Sequence, residues 1–289
     1  MKITLSIVIV TYKSLKYINN CLRSINQFND LPNEEVEIII VDNSPAEDFE
    51  ELLRFLPNDN PISLKVIHNS SNGGYGQGNN IGIAKSSGEI ILIMNPDIEL
   101  SMPLFSKAKD HFRDNNLVVL GGKQIGGRNF SFYIRQEFDF HIITAPMNLL
   151  LNKYNYYNEK FMFLSGALLF IRKQDFIDLG GFDENLFLYC EESDITNRIL
   201  NSNKKTFFDK ELRYNHLIEL REASPSTFKT LIKSNAYYFN KFGFNMERFI
   251  NQKVLSLKIL SFLYLFINKK KHKKFIEQAN IYKETYKSL

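Results

Sequence analysis

Cysteine is scarce: the 289 residues include two, Cys21 and Cys190, in no C-x-x-C arrangement. That excludes the disulfide framework of a small secreted domain and leads us to expect a reducing compartment, the cytosol. Long apolar runs are missing as well. The N-terminal "LSIVIV" is too short for the hydrophobic stretch of a signal peptide and leads into "TYKS" rather than a small-residue cleavage site, so it reads as a strand. "VLSLKILSFLYLFINKKKHKK" (254–274) is apolar over about fourteen residues before it turns basic, short of the ~20 that a membrane span needs. A large charge of one sign is absent: 36 Lys and Arg against 32 Asp and Glu, with most of the surplus near the C-terminus, do not make a nucleic-acid binder. No G-K-[ST] follows a glycine loop, which excludes a P-loop, and no internal repeat is visible.

What is present is 44% hydrophobic residues, enough for one large α/β domain or one domain with an appendage. Four short, β-branched runs recur early: "LSIVIV" (5–10), "EIIIV" (37–41), "LKVI" (64–67) and "EIILIM" (89–94). Continuous rather than alternating hydrophobicity predicts strands covered on both faces, as in a parallel sheet. Helical stretches at about 15–28, 47–56 and 78–87 separate them, which gives a β-α-β order that closes into a doubly wound, mostly parallel sheet through right-handed crossovers. Later come a strand "LVVLGGK" (117–123), an aromatic, irregular region to about 160, a strand-like "FLSGALLFIRK" (163–173), a helix from about Glu192, and helix from about 225 to the end.

Ligands of such a sheet sit at the carboxyl ends of its strands. The residues to examine are therefore Thr11 and Tyr12, Asp42 to Ser44, His68 and Asn69, and Asn95 to Asp97. A carboxylate closing an apolar strand, as Asp97 does, must be solvated, paired or bound to a cation; the plain alternative is a turn, which Asn95-Pro96-Asp97 also fits. Asp42 can take hydrogen bonds from a nucleotide, or cap a turn. "NSSNGGYGQGNN" (69–80) precedes a helix, where backbone N–H groups approach phosphates, but Asn79 stands where the dinucleotide fingerprint has its third glycine. Glu191, Glu192 and Asp194 form an acidic patch at a helix start, favoured by the helix dipole or serving as a general base. Glu192 and Asp194 are two residues apart, diverge on a helix and so have different roles.

Taken in order, "SIVIVTYKS", "VDNSP", "NGGYGQGNNIGI", "NPDIEL", "SGALLFIRK", "GGFDENLFLYCEESDITNRI" and the following His216 resemble glycosyltransferase family 2, its bacterial rhamnosyltransferase-like branch in particular, over residues 3–220. The resemblance implies a GT-A fold with a helical C-terminal extension: a transferase domain at 1–225, whose residues 1–100 bind the nucleotide sugar and 101–225 the acceptor, and an extension at 226–289. Thr11, Tyr12 and Asp42 match nucleoside-holding positions, and Asn72, Gly73, Gly74, Asn79 and Asn80 the loop beside the donor. Asp97 matches the D-x-D carboxylate that holds Mg²⁺ or Mn²⁺ against the diphosphate, with Asn95 in place of the first acid and His216 nearby as a second metal ligand. Glu192 matches the catalytic base, where Asp is commoner; Glu191 and Asp194 match positions that support the helix start or the acceptor.

The implied reaction is an inverting, single-displacement transfer, with dTDP-rhamnose as the leading donor and a glycan or lipid-linked acceptor of bacterial surface polysaccharide (O-antigen). A sugar nucleotidyltransferase and a nucleotide-sugar-binding module without turnover are the alternatives. For the basic tail, an interfacial helix on an anionic leaflet, inside the plasma membrane, competes with a helix packed on the domain.

Overall fold

The computed structural model describes residues 2–126, 130–217 and 224–289. The chain gathers into two compact units, the first comprising Met1–Ser131, Leu164–Phe187 and Asp194–Glu219, the second Phe132–Phe163, Leu188–Ser193 and Leu220–Leu289. Strand and helix alternate at the start: β1 Leu5–Thr11, α1 Leu15–Phe28, β2 Val36–Asp42, α2 Ala46–Phe55, β3 Ser63–His68, α3 Gly74–Ala84, β4 Ile90–Met94 and β5 Ile98–Leu100. There follow α4 Phe105–His111, β6 Leu117–Ile125, β7 Phe132–Ile134, α5 His141–Lys153, β8 Met162–Leu164, β9 Leu168–Arg172, α6 Lys173–Asp178, α7 Glu191–Asn201 and β10 Lys205–His216. The chain closes with α8 Pro225–Phe242, α9 Met246–Tyr264 and α10 Lys269–Lys287.

The first unit is built on an eight-stranded sheet in the order β3-β2-β1-β4-β9-β6-β10-β5. β1 runs parallel to β2 and β4, β2 to β3, and β6 to β10. β9 lies antiparallel between β4 and β6, and β5 antiparallel on β10. The aliphatic run of β4 and the whole of β2, Glu37 and Asp42 included, are buried because helices cover both faces of the sheet centre. α1 adds Ile18, Cys21, Leu22 and Ile25 to the core, the i, i+3, i+4, i+7 stripe of a helix lying on a sheet. β3 is an edge strand and alternates in exposure, unlike the both-faces-covered strand that "LKVI" predicts.

Three other elements differ from the sequence reading. α3 starts at Gly74, four residues before the expected 78, and takes in most of the glycine run. Gly78 and Gly82 are helix–sheet contacts: a Cβ on Gly78 would stand 2.7 Å from Val10 Cγ1 and one on Gly82 2.3 Å from Val8 Cγ1, both of β1. The stretch "FLSGALLFIRK" is two strands, not one, with β8 pairing β7 in a separate two-stranded sheet and β9 entering the large one. Between them the carbonyls of Gly166 and Ala167 accept from the Tyr75 hydroxyl at 2.7 Å and the Asn95 N–H at 2.9 Å. Finally, α5 occupies part of the region read as irregular; Pro146 lies inside it and masks its helical pattern.

Glu37 is a buried acid near the start of β2. Its carboxylate accepts from Ser6 Oγ of β1 at 2.7 Å, Lys65 Nζ of β3 at 2.7 Å and the Ser87 N–H before β4 at 2.5 Å, tying three strands together. Burial pushes this carboxyl upward, but the bonds from Lys65, Ser6 and Ser87 outweigh it and hold its pKa below the ordinary value. Its stabilising effect is therefore full above the unfolded carboxylate pKa and is lost as pH falls through the lower native value. Glu37→Gln is expected to destabilise the fold by about 1–3 kcal/mol, read by denaturant titration at neutral pH, with a smaller difference in acid.

In the second unit α8, α9 and α10 pack together around Phe239 and Phe249, whose ring centroids are 4.9 Å apart. α8 begins as its sequence dictates: Ser224 caps it by accepting from the Thr227 N–H, and Pro225 fills the first position, where no N–H is needed. Polar ties fix the packing of the other helices, with Lys253 Nζ 2.7 Å from Asp139 and Ser261 Oγ 2.8 Å from His272 Nδ1.

Candidate active site

The parallel strands of the first unit end side by side, and their register places Thr11 opposite Asp42. Thr11 Oγ1 donates to Asp42 Oδ1 at 2.6 Å and Ser44 Oγ donates to the same oxygen at 2.8 Å. Asp42 is 2% exposed, and its other oxygen, Oδ2, is buried with no hydrogen-bond partner among the described residues. A bare carboxylate oxygen in that position costs free energy until a donor reaches it. Thr11, Asp42 and Ser44 line a cavity of about 90 Å³ together with Lys13 and Asp48. Tyr12, next to Thr11, is 53% exposed and offers an open ring face.

Around this pair the next loop is locked by amides. Asn69 Nδ2 donates to Asn43 Oδ1 at 2.7 Å, and Asn43 Nδ2 donates to the Gly74 carbonyl at 3.1 Å. Asn72 has φ 42° and Gly74 φ 90°; at Gly74 a Cβ would also strike the Phe187 carbonyl oxygen at 1.9 Å, so glycine is required there. The Gly73 N–H donates to Gln77 Oε1 at 2.9 Å. Asn79 and Asn80 are turned to the protein. Asn79 Nδ2 donates to the Tyr75 carbonyl, and Asn80 bonds the Phe182 backbone and Glu184.

The turn at Asn95-Pro96-Asp97 sends the chain from β4 into β5, which pairs antiparallel with the end of β10 so that Ile98 lies opposite His216. This return sets His216 Nε2 3.3 Å from Asp97 Oδ1. On the other side of the ring, Nδ1 lies 3.0 Å from Gln124 Oε1 of β6. Gln124 Nε2 donates to the Phe130 carbonyl at 2.9 Å; a carbonyl only accepts, so the amide oxygen must face the imidazole. Nδ1 then donates to Gln124, which leaves Nε2 facing the Asp97 carboxylate. The space between that nitrogen and the carboxylate oxygen suits a proton or a cation. Carboxylate and imidazole suit Mn²⁺ better than Mg²⁺, which prefers oxygen alone. No cluster of three or more His, Cys, Asp or Glu occurs among the described residues, so water and ligand oxygens would complete the coordination. Cys21, close by and fully buried, stays a thiol: burial first, then Asp97 and Glu99, push its pKa far up.

Glu191 and Glu192 belong to the second unit, at the start of α7. The two residues before them, Tyr189 at φ 75° and Cys190 at φ 74°, are both left-handed without being glycine, a conformation that surrounding bonds must impose. Those bonds come from α8, where Ser234 Oγ donates to the Leu188 carbonyl at 2.7 Å and the Cys190 thiol donates to Asn235 Oδ1 at 3.5 Å. Burial, then the charge of Glu191, raises the pKa of the Tyr189 phenol. Glu191 is buried and Glu192 half-buried. Asp194, fully buried in the first unit, is gripped by Arg198 one turn on, at 2.8 Å through Nε, while Arg198 Nη1 donates to the Leu179 carbonyl. Gln124, Ser234 and Asn235 carry no motif, and the sequence reading missed them.

The sequence matches the glycosyl transferase family 2 profile over residues 6–180. The chain belongs to this family. It is 28% identical over 152 residues to the poly(ribitol-phosphate) beta-N-acetylglucosaminyltransferase TarS of Staphylococcus aureus, a match covering 51% of this chain and 25% of TarS. To the rhamnosyltransferase WbbL of Escherichia coli it is 22% identical over 209 residues, 67% of this chain and 75% of WbbL. In three dimensions it is similar to the mannosyltransferase PcManGT of Pyrobaculum calidifontis, solved with GDP-Man and Mn²⁺, with a TM-score of 0.63 and 11% identity over 99% of this chain and 86% of that one. The fold is of the GT-A type, as the resemblance implies: a mostly parallel sheet flanked by helices, with a helical C-terminal region.

Proposed function

We propose that the chain is an inverting, metal-dependent glycosyltransferase that moves a sugar from a nucleotide donor to a glycan or lipid-linked acceptor of a bacterial surface polysaccharide. Its residues 1–100 serve the nucleotide sugar, residues 101–225 the acceptor, and residues 226–289 form the extension. The observation that carries the reading is the buried Oδ2 of Asp42, an acceptor at a strand end held in place by Thr11 and Ser44. A base N–H or a ribose hydroxyl completes it. Tyr12 stacks on the base, and Asn72 to Gly74 border the sugar nucleotide, with Asn79 and Asn80 fixing α3 behind them. Similarity to WbbL favours dTDP-rhamnose as the donor.

Glu192 removes the proton of the acceptor hydroxyl as that oxygen forms its bond to the anomeric carbon; the bond from that carbon to the diphosphate oxygen breaks, and its electron pair leaves with the nucleoside diphosphate. Asp97 and His216 would hold a divalent ion, which would supply positive charge against the departing diphosphate. Glu191 and Asp194 keep the start of α7 in place for Glu192.

Asp42→Asn tests the nucleotide site. It keeps an oxygen for Thr11 and Ser44 but puts an NH₂ where a ligand donor must point. The expected loss of nucleoside diphosphate affinity by calorimetry is roughly 10- to 100-fold with the melting temperature little changed. Equal affinity of variant and parent removes Asp42 from the site.

A further inference from the structure

α9 has two apolar faces, and packing uses one. Phe249, Ile250 and Leu257 are buried, with Ser256 and Ser261 beside them, where the helix meets its neighbours. On the other face Leu255, Ile259 and Phe262 repeat at intervals of four and three residues, and Phe266, in the turn that follows α9, stands four further on. Their exposures are 50, 37, 68 and 91%, and Ile267 beyond them is 79% exposed. Large aromatic and aliphatic side chains ranged in one exposed stripe are a binding face rather than scattered surface.

What covers the stripe is indicated by charge. Lys269, Lys270, Lys271 and Lys273 are exposed and follow it directly in the chain. With Lys274, two of them, Lys270 and Lys273, line a cleft of about 470 Å³ whose floor includes Phe228. Apolar residues adjoining a dense positive collar match a surface that is oily beneath and anionic on top. A second copy of the chain would instead bring the lysine collars of both copies together. No described helix is long and apolar enough to cross a membrane, and the inner face of α9 is already occupied, a combination that suits lying on a bilayer rather than spanning it.

We infer that the outer face of α9 and the lysines of early α10 dock the protein on an anionic lipid bilayer, with the stripe in the acyl boundary and the lysines at the headgroups. The inference stands apart from the proposed chemistry, because it uses no residue of the nucleotide or base sites.

Co-sedimentation of the full chain with vesicles tests it, comparing phosphatidylcholine alone with equal parts phosphatidylcholine and phosphatidylglycerol. Binding is expected to the mixed vesicles, weakened by salt. The quadruple change of Lys269, Lys270, Lys271 and Lys273 to Gln should lower it roughly 10²- to 10³-fold. Phe262→Glu with Phe266→Glu should lower it at least about 10²-fold. Both variants alter exposed side chains, and unchanged circular dichroism and melting verify their fold. Excess inorganic phosphate in one arm separates the sources of anion: binding of free phosphate without binding of vesicles overturns the inference. So do an intact chain that stays in the supernatant with mixed vesicles at low salt, vesicle binding that neither variant reduces, and a dimer that the Phe changes dissolve while lipid is ignored.

Discussion

Asp97→Ala is expected to lower sugar transfer by roughly 10²- to 10⁴-fold while the protein still folds. The residue is in the turn after β4, a quarter exposed, and its side chain meets His216 rather than the core. Loss of the carboxylate leaves an imidazole alone to hold the cation, and the diphosphate then departs with its charge unneutralised. Excess chelator should have the same effect on the unaltered enzyme, with Mn²⁺ restoring transfer better than Mg²⁺. Gln124→Ala is the subtler companion. It frees the imidazole to carry its proton on either nitrogen, and the expected result is a 10- to 100-fold weaker Mn²⁺ dissociation constant, measured by electron paramagnetic resonance in the absence of substrate. Full turnover in chelator would remove the metal from the mechanism.

Glu192→Gln is expected to reduce transfer by roughly 10² to 10⁴ with donor affinity nearly unchanged, because the amide keeps the shape and the hydrogen bonds but cannot accept the acceptor's proton. Glu192→Asp should retain measurable activity. Asp194→Asn should behave differently: its carboxylate is fully buried against Arg198, so removing its charge leaves a cation without a counter-ion and costs about 3–5 kcal/mol of stability. Melting temperature and turnover thus separate the two positions. If Asp194→Asn folds normally without activity while Glu192→Gln turns over, the base has been assigned to the wrong acid.

Much of this was legible in the sequence wherever local pattern and burial coincide. The runs at β1, β2 and β4 are apolar because both faces are covered, so their positions, and with them Thr11, Asp42 and Asp97 at their ends, follow from hydrophobicity alone. β9 was harder to see. Its residues are as aliphatic as those of a parallel strand, and only pairing with β4 and β6 sets its direction. The Gly-rich run looked like a phosphate loop because close helix–sheet packing selects the same residue as a tight turn does. Gln124 and His216 are 92 positions apart, and what unites them is the parallel pairing of β6 with β10. No spacing rule encodes such a pair. The left-handed Tyr189 and Cys190 were equally silent, since neither residue type advertises a positive φ.

The most direct test of the central claim, that the strand ends of the first unit bind a nucleotide sugar through Asp42 and a cation held by Asp97, is calorimetric titration of the purified protein with dTDP, UDP and GDP in Mn²⁺ and in chelator. The account predicts that one of the three binds, that chelator weakens it, and that Asp42→Asn and Asp97→Ala each weaken it in Mn²⁺ with the fold intact. Binding of none of them, or binding that is indifferent to chelator and to both substitutions, would contradict it.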